Sequence, residues 1–247
     1  MVSAGTGGPD FRLDQGQLAW MVREIEAAES GAGTVIFMHT YPADLREGGR
    51  ALGALLERSN VLCVDMGHTH YNELANDGGT IFMATRSIGQ VEEGAPGFSI
   101  AAIDEGCVSW RFKTIEHAFP AVLITQPADR RLATGATPGL RDPLLVRAKI
   151  VGDLPIEAVE LCAGPWNAMS AVPGDATLWQ ARCETTDGAL RVRARDAGGR
   201  VDEDRIEPGR AAPALHAADG SDRHRIGAWP EAILGTQLGP NRNGRAW

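Results

Sequence analysis

The sequence predicts an α/β layer followed by a β-sandwich. Between residues 14 and 85, two amphipathic helical stretches alternate with three apolar strand-like runs, which is the alternation of an α/β fold. From about residue 120 the helical periodicity disappears, and short β-rich runs separated by turn signals follow. This second pattern favours a β-sandwich of immunoglobulin-like type.

The helices are predicted from apolar side chains spaced three and four residues apart. They cover residues 15–28, which follow the N-cap candidate Asp14, and residues 47–58. The strands between and after them are uniformly apolar, which indicates burial on both faces of a sheet. These strands cover residues 34–38, 61–64 and 80–85.

The second half of the chain is predicted to be all β. A hairpin around Asp104-Glu105-Gly106 joins strands at 98–103 and 107–112. Further strands are predicted at 122–125, 144–151, 156–161, 176–184, 189–194 and 201–206. We therefore expect three segments: a first domain over residues 1–117, a β-sandwich domain over 118–208, and a linker with a C-terminal docking tail over 209–247.

Composition excludes several classes of partner. The net charge of −8 argues against a broad surface for nucleic-acid polymers, and no run of 18 apolar residues could span a membrane. The N-terminus lacks the basic start and apolar segment of a signal peptide, so we expect a cytoplasmic location. The four cysteines are expected to be reduced, although a bridge between Cys162 and Cys183 stays open if the protein is exported.

Three histidines follow the ends of predicted strands. His39 comes directly after one strand, and His68 and His70 follow the next strand across Gly67. The carboxyl ends of parallel strands meet at one edge of a sheet, and histidines two residues apart in an extended segment point to the same side. This arrangement predicts a metal site.

The same residues resemble motifs of the calcineurin-like metallophosphoesterase family. Residues 37–42, Phe-Met-His-Thr-Tyr-Pro, resemble its hydrophobic-H-x-x-P motif, and residues 67–72, Gly-His-Thr-His-Tyr-Asn, are similar to its G-H-x-H motif. Residues 17–21, Gln-Leu-Ala-Trp-Met, resemble a helix of the cyclic-nucleotide phosphodiesterase-like branch. The resemblance covers residues 11–115 and implies the C-terminal part of an αββα sandwich.

The resemblance also implies a function and a site. In the family, two divalent ions clamp a phosphate ester while a bridging hydroxide attacks it. Carried over, His39 and His68 ligate one ion, His70 ligates the other, and Tyr71 and Asn72 border the substrate. The metals are Mn, Fe or Zn, and the substrate is a small phosphate ester such as a cyclic nucleotide. No catalytic residue is assigned, and a homo-oligomer formed through the C-terminal tail is a possible assembly.

The first three motif blocks of that family are missing from the sequence. Only ten residues precede Phe11, and no G-D-x-x-D or G-N-H occurs elsewhere. Without the bridging carboxylate, nothing offsets the repulsion between two divalent ions. We therefore expect a truncated or half protein that is inactive alone, with an exposed hydrophobic sheet edge.

Two other classes stay open. An amidohydrolase also uses H-x-H for metal binding, but that scheme gives His39 no role. The alternative is a non-catalytic docking module attached to a degenerate phosphoesterase domain. On that view Arg191, Arg193 and Arg195 share one strand face, either solvated or part of an interface. Trp110, Trp166 and Trp179 are expected to be core or edge packing rather than ligand platforms.

Overall fold

The structure is a computed structural model that describes residues 2–5, 8–28, 33–42, 45–67, 72–86, 95–184 and 188–209. The chain divides into two units, the first comprising Met1–Gly94 and the second Ala95–Ala212. Of the described residues, 50% lie in strands and 15% in helices. None of the described helices is long and apolar enough to cross a membrane.

The first unit holds a small mixed sheet and two helices. Its strands are β1 (Val2–Gly5), β2 (Gly8–Phe11), β3 (Thr34–Phe37), β4 (Val61–Met66), β5 (Glu73–Asn76) and β6 (Ile81–Ala84), and its helices are α1 (Gln15–Ala27) and α2 (Gly49–Arg58). β1 and β2 pair only with each other among the described strands. The other strands lie in the order β3-β4-β6-β5, with β3, β4 and β6 parallel and β5 antiparallel to β6.

Local sequence explains where both helices begin. Asp14 caps α1 because its carboxylate accepts the backbone N–H of Gln17, whose side chain accepts the N–H of Asp14 in return. α2 follows Gly48, whose φ of 85° lies in the left-handed region that favours glycine. α2 buries Leu52, Leu55 and Leu56 in the core of the unit, whereas α1 has no fully buried residue.

The second unit is built from ten strands. They are β7 (Gly97–Asp104), β8 (Cys107–Thr114), β9 (Ala121–Gln126), β10 (Leu144–Val151), β11 (Ile156–Cys162), β12 (Trp166–Ala168), β13 (Ser170–Val172), β14 (Asp175–Cys183), β15 (Leu190–Asp196) and β16 (Val201–Ile206). A short 3₁₀ turn, Arg130–Leu132, follows β9. β7 and β8 form a hairpin, and the remaining strands form two sheets in the orders β13-β14-β10-β9 and β12-β11-β15-β16.

One core joins the two four-stranded sheets. Burial alternates along β10 and β15, so each strand turns one face inward and the other outward. The inward side chains of both sheets form one cluster: Val122, Ile124, Leu144, Val146, Ala148, Ile150, Val159, Leu161, Met169, Leu190, Val192, Ala194 and Ile206. The two sheets therefore pack face to face as a sandwich.

Carboxylates close one side of this sandwich, where the edge strands β9 and β16 meet. Asp202 accepts the backbone N–H of Val122 at 2.8 Å, and Asp204 accepts that of Ile124 at 2.8 Å. Arg111 of the hairpin donates to both oxygens of Asp202, at 2.6 and 2.9 Å, and to the carbonyl of Val122 at 2.5 Å. These side chains satisfy strand groups that have no neighbouring strand to pair with.

Burial and pairing shift the titration of these groups. Burial raises the pKa of the Asp204 carboxyl above its ordinary value. Burial disfavours the charged guanidinium of Arg111, yet its hydrogen bonds to Asp202 raise its pKa overall. Asp204 therefore weakens the folded state as pH rises through its ordinary carboxyl pKa toward its raised folded value, whereas Arg111 stays charged throughout.

The four cysteines are free in the structure. Cys63 and Cys107 are buried, whereas Cys162 and Cys183 are partly exposed and form no bridge. Burial, with the nearby carboxylate of Asp65, raises the pKa of Cys63 to about 12. Its thiol is therefore a neutral core group at physiological pH. The cytoplasmic location stays a prediction.

The predicted fold class is wrong. The described residues are mostly β and form several separate sheets, with no αββα sandwich among them. The parallel part is limited to three strands, and only α1 and α2 accompany it. Periodicity had predicted the individual elements, but their assignment to an αββα sandwich came from the family resemblance and not from the residues.

Removing the Arg111 side-chain charge tests the closure of the sandwich. Arg111→Met removes two hydrogen bonds from the buried carboxylate of Asp202, so we expect the free energy of unfolding to fall by about 2–4 kcal/mol. Urea unfolding followed by circular dichroism measures this. Arg130→Met is the matched control, because the Arg130–Glu207 pair is exposed and should change stability by less than about 1 kcal/mol. Equal losses in both variants would contradict the account.

Candidate functional site

His39 lies at the carboxyl end of β3 in the first unit. β3 and β4 are parallel, so their carboxyl ends point to the same edge of the sheet. The imidazole of His39 is exposed and lies 5.4 Å from the ring of Phe11, centroid to centroid. The residue is therefore reachable from solvent at the edge where the sequence predicted a metal site.

Gly67 brings the end of β4 against His39. Its backbone N–H donates to the carbonyl of His39 at 3.2 Å. A Cβ atom placed on Gly67 would lie 3.8 Å from Nδ1 of His39. Gly67, the last described residue before 72, therefore lies beside the imidazole of His39.

Of the other predicted site residues, only Asn72 is among the described residues. His68, His70 and Tyr71 lie outside the described residues. Asn72 is fully buried, and its side-chain oxygen accepts the backbone N–H of Arg86 at 3.0 Å. No group of three or more metal-ligating side chains occurs among the described residues. The metal role of the three histidines and the substrate roles of Tyr71 and Asn72 stay predictions.

The outer face of the sheet β12-β11-β15-β16 carries a second candidate site. The antiparallel register places Cys162 of β11 opposite both Trp166 of β12 and Arg191 of β15, so all three lie in one row across the sheet. Arg193 and Arg195 follow on the same face of β15 because alternate residues share a face. We call this surface the ladder face and define it by Glu157, Glu160, Trp166, Arg191, Arg193, Arg195 and Glu203.

Each arginine of the ladder face is paired with a glutamate. Arg193 Nε donates to Glu160 Oε2 at 2.8 Å, from one strand to the next. Arg191 binds both carboxylate oxygens of Glu203, at 2.6 and 3.0 Å. Arg195 Nε lies 3.8 Å from Glu157 Oε2. Three cations and three anions therefore form pairs on the face, and Arg205, which lies opposite Arg191 on β16, pairs with Glu207 at 2.9 Å.

The ring of Trp166 packs against two arginines of the ladder face. The guanidinium carbon of Arg193 is 4.0 Å from the centroid of its ring, and that of Arg191 is 5.2 Å away. Such distances are typical of cation–π stacking. The indole is only partly buried, so part of its surface remains open to a ligand. The stacking holds the indole over the sheet between ordered polar groups.

The pairing shifts the titration of Glu160, Arg191 and Arg193 toward their charged forms. The hydrogen bond from Arg193 lowers the pKa of Glu160 below its ordinary value. Hydrogen bonds to Glu203 and Glu160 raise the pKa of Arg191 and Arg193, respectively. A carboxyl whose folded pKa is lowered loses its charge only as the pH falls below the ordinary glutamate value of 4.5.

The ladder face carries groups that can bind a polar ligand. It combines a partly exposed aromatic ring with carboxylate acceptors and guanidinium donors, and the partly exposed Cys162 lies in the same row as Trp166 and Arg191. Alternation in the sequence correctly placed the three arginines on one face. The glutamate partners and the position of Trp166 were missed, because they depend on the register between strands.

Comparisons with known proteins give distant likenesses. No protein-family profile and no curated protein matches the chain. An apo expansin from Clavibacter michiganensis matches with a TM-score of 0.24 and 18% identity, over 57% of this chain and 60% of that one. A modular endo-β-1,4-mannanase of glycoside hydrolase family 26 from Cellulomonas fimi matches with a TM-score of 0.29 and 18% identity, over 72% of this chain and 48% of that one. The chain thus spans about half to three fifths of these proteins, and the TM-scores are too low to support a functional argument.

The metallophosphoesterase interpretation is wrong. No family profile supports the motif resemblance, and neither the expansin nor the mannanase named above is a metallophosphoesterase. The described residues also show neither the αββα sandwich nor a metal-ligating cluster. The predicted phosphodiesterase function, the phosphate-ester hydrolase class and the alternative of a degenerate phosphoesterase docking module are therefore withdrawn.

Stability measurements distinguish a binding surface from a structural one. The side chains of Arg193 and Glu160 are 38% and 35% exposed, so their ion pair is largely screened by water. We expect Arg193→Gln to leave the midpoint of urea unfolding nearly unchanged. A marked fall in the midpoint would instead show that the ladder is structural.

Proposed function

We propose that this chain is a carbohydrate-binding protein and that the ladder face of its β-sandwich holds a neutral oligosaccharide. The observation that carries the proposal is the Trp166 ring, stacked at 4.0 Å on Arg193 and flanked by ion-paired side chains on one exposed sheet face. The proposal concerns binding, and no bond cleavage is assigned to the face.

The aromatic ring matches one side of a sugar ring. A pyranose presents C–H groups on its faces and hydroxyl groups around its rim. A partly exposed indole offers an amphipathic, rigid surface for the C–H groups, and few of its rotamers must be frozen on binding. Trp166 is already held by Arg191 and Arg193, which reduces the entropy lost when a ligand binds.

The ion pairs match the rim of the sugar. Each carboxylate has lone pairs that accept hydroxyl hydrogens, and each guanidinium has further N–H groups that donate to hydroxyl oxygens. Glu160 uses one oxygen for Arg193, which leaves acceptor positions on the other oxygen. The pairs also fix the side chains in place before a ligand arrives.

Charge balance argues against the other common ligands of an arginine-rich face. Nucleic acids and phosphates require unneutralised positive charge, but each ladder arginine has a glutamate partner. The net charge of −8 opposes anionic polymers further. An apolar protein partner would have to desolvate three ion pairs, which is costly. A neutral, hydroxyl-rich ligand avoids both costs.

Trp166→Ala tests the proposal. We expect the intact chain to be retarded in native gels that contain soluble β-glucan, mannan, xylan or starch, and to bind at least one of them with a dissociation constant of about 1 mM or tighter, which is about −4 kcal/mol. Loss of the ring should weaken that binding at least about tenfold, or about 1.4 kcal/mol. Phe98→Ala is the control, since Phe98 is an exposed aromatic residue on β7 outside the ladder face.

Two outcomes would contradict the proposal. One is a folded chain that binds no polysaccharide of the panel, and the other is equal binding by wild type and Trp166→Ala. Salt separates the ligand classes: binding of a neutral sugar should change less than about twofold between about 50 and about 500 mM sodium chloride. A steep fall over that range would indicate an anionic partner.

We also propose a divalent transition-metal site at His39 in the first unit, with no hydrolytic activity attached. The specific observation is the contact of Gly67 with His39, which places the end of β4 beside the imidazole. His68 and His70 follow Gly67 in the sequence. Three imidazoles are a donor set that suits Zn²⁺ and similar ions.

Calorimetric titration with Zn²⁺ tests this site. We expect His39→Ala to weaken zinc binding at least about tenfold, because one of three ligands is lost. His117→Ala is the matched control, since His117 lies in the turn after β8 and belongs to the second unit. Unchanged zinc affinity in His39→Ala would rule the site out.

A further inference from the structure

The sheet of the first unit has an open edge at β3. Among the described residues, no strand pairs with the outer side of β3, which lies at the end of the order β3-β4-β6-β5. The backbone N–H groups of Thr34 and Met38 donate inward, to the carbonyls of Asn60 and Asp65. Because alternate residues point to opposite sides of a strand, Val35 and Phe37 direct their N–H and C=O groups outward.

The open edge borders an apolar groove between β3 and α1. The groove encloses about 600 Å³, and its apolar lining includes Leu13, Trp20, Met21 and Ile25. The Trp20 side chain is 54% exposed and that of Phe37 is 77% exposed. α1 has no fully buried residue, although its apolar face lies against the core. The region therefore exposes more apolar surface than a sheet edge that is covered or charged.

The usual protections of an edge strand are absent from β3. Natural edges are blunted by lysine, proline or an inward charge, and often by short length. β3 is short, with four residues, but its sequence Thr-Val-Ile-Phe holds no charge and no proline. The short length of β3 is its one protection, and the outward backbone groups of Val35 and Phe37 can still pair with another strand.

We propose that a second copy of this chain covers this edge by antiparallel pairing of β3 with β3 about a two-fold axis at Ile36. This register places Val35 of one copy opposite Phe37 of the other. Both residues direct their backbone groups outward, so each Val35–Phe37 pair can exchange two hydrogen bonds. Two pairs give four bonds, and the two four-stranded sheets become one sheet of eight.

The side chains of β3 suit this pairing. A β-branched residue opposite an aromatic one is a favourable cross-strand pair, and the register makes two such pairs from Val35 and Phe37. The charged side chains lining the groove are Arg12, which pairs with Glu47 of its own chain at 3.1 Å, and Glu24. These two side chains are of opposite sign, so two copies can meet at this edge without a block of like charges. A partner other than a second copy would need to supply the same pattern by coincidence.

Sedimentation of the full chain tests the proposal. We expect a dimer, with twice the 26.3 kDa mass of one chain, that dissociates with a constant of about 1–10 µM because the paired strands are short. Phe37→Lys should raise that constant at least about tenfold, since it places a charge in the paired edge. Ile103→Lys is the control: Ile103 is also an exposed apolar strand residue, but it lies on β7.

A cross-linking variant tests the register itself. Val35 and the opposing Phe37 should have Cα atoms about 5.5 Å apart, which is within disulfide range. The double variant Val35→Cys/Phe37→Cys should form a covalent dimer under mild oxidation, and Val35→Cys alone should not. A monomeric wild type at about 100 µM would overturn the proposal. A dimer unaffected by Phe37→Lys and not captured by the double variant would place the interface elsewhere and overturn it as well.

Discussion

The second unit depends on the carboxylate of Asp202, which accepts a backbone N–H of β9 that has no neighbouring strand to pair with. Asp202 of β16 accepts the backbone N–H of Val122 in β9. Arg111 donates to the Asp202 carboxylate and to the carbonyl of Val122. A sandwich of two open sheets leaves unpaired backbone groups at its sides, and these cost free energy unless something satisfies them. The Arg111–Asp202 pair satisfies them and also attaches the β7–β8 hairpin to the sandwich. These bonds fix β16, and with it the sheet that carries the ladder face, to β9 and to the hairpin.

The ladder face can bind a ligand selectively only if its sheet keeps the side chains at a fixed spacing. Salt bridges on a mobile surface contribute little and select nothing. On a sheet whose inner face is packed in the core through Val159, Leu161 and Val192, the outward side chains keep a fixed spacing. Trp166 and the three ion pairs are therefore presented as a pattern rather than as isolated groups. The first unit differs in this respect, because the edge at β3 has no such closing side chain among the described residues.

Local structure was predictable from the sequence, but its assembly was not. The apolar spacing and Asp14 predicted α1 to within one residue, and β-rich runs between turn signals predicted β10, β11, β15 and β16 closely. The short strands β1, β2, β5, β12 and β13 were missed, because none of them carries a continuous apolar run like those of the four-residue strands β3 and β6. The pair of Arg111 with Asp202 joins residues 91 positions apart, and no local pattern links them. The fold class failed for the same reason, since a motif resemblance was used where long-range pairing decides the arrangement.

The candidate sites show the same division. One-residue alternation placed Arg191, Arg193 and Arg195 on a common face, but only the strand register shows that each meets a glutamate. Trp166 was expected to be core or edge packing, and its three-residue strand was not predicted from the sequence. For His39 the sequence predicted the position at the carboxyl end of β3, and the structure adds its contact with Gly67.

We propose the ladder face as a binding surface for neutral oligosaccharides. The most direct test is a nuclear magnetic resonance titration of the ¹⁵N-labelled chain with soluble oligosaccharides from the polysaccharide that it retains. The account predicts that the shifted resonances concentrate on the indole N–H of Trp166 and on the Nε–H groups of Arg191 and Arg193, with backbone shifts in β11, β12 and β15. Shifts confined to other surfaces, or none at saturating sugar, would contradict it.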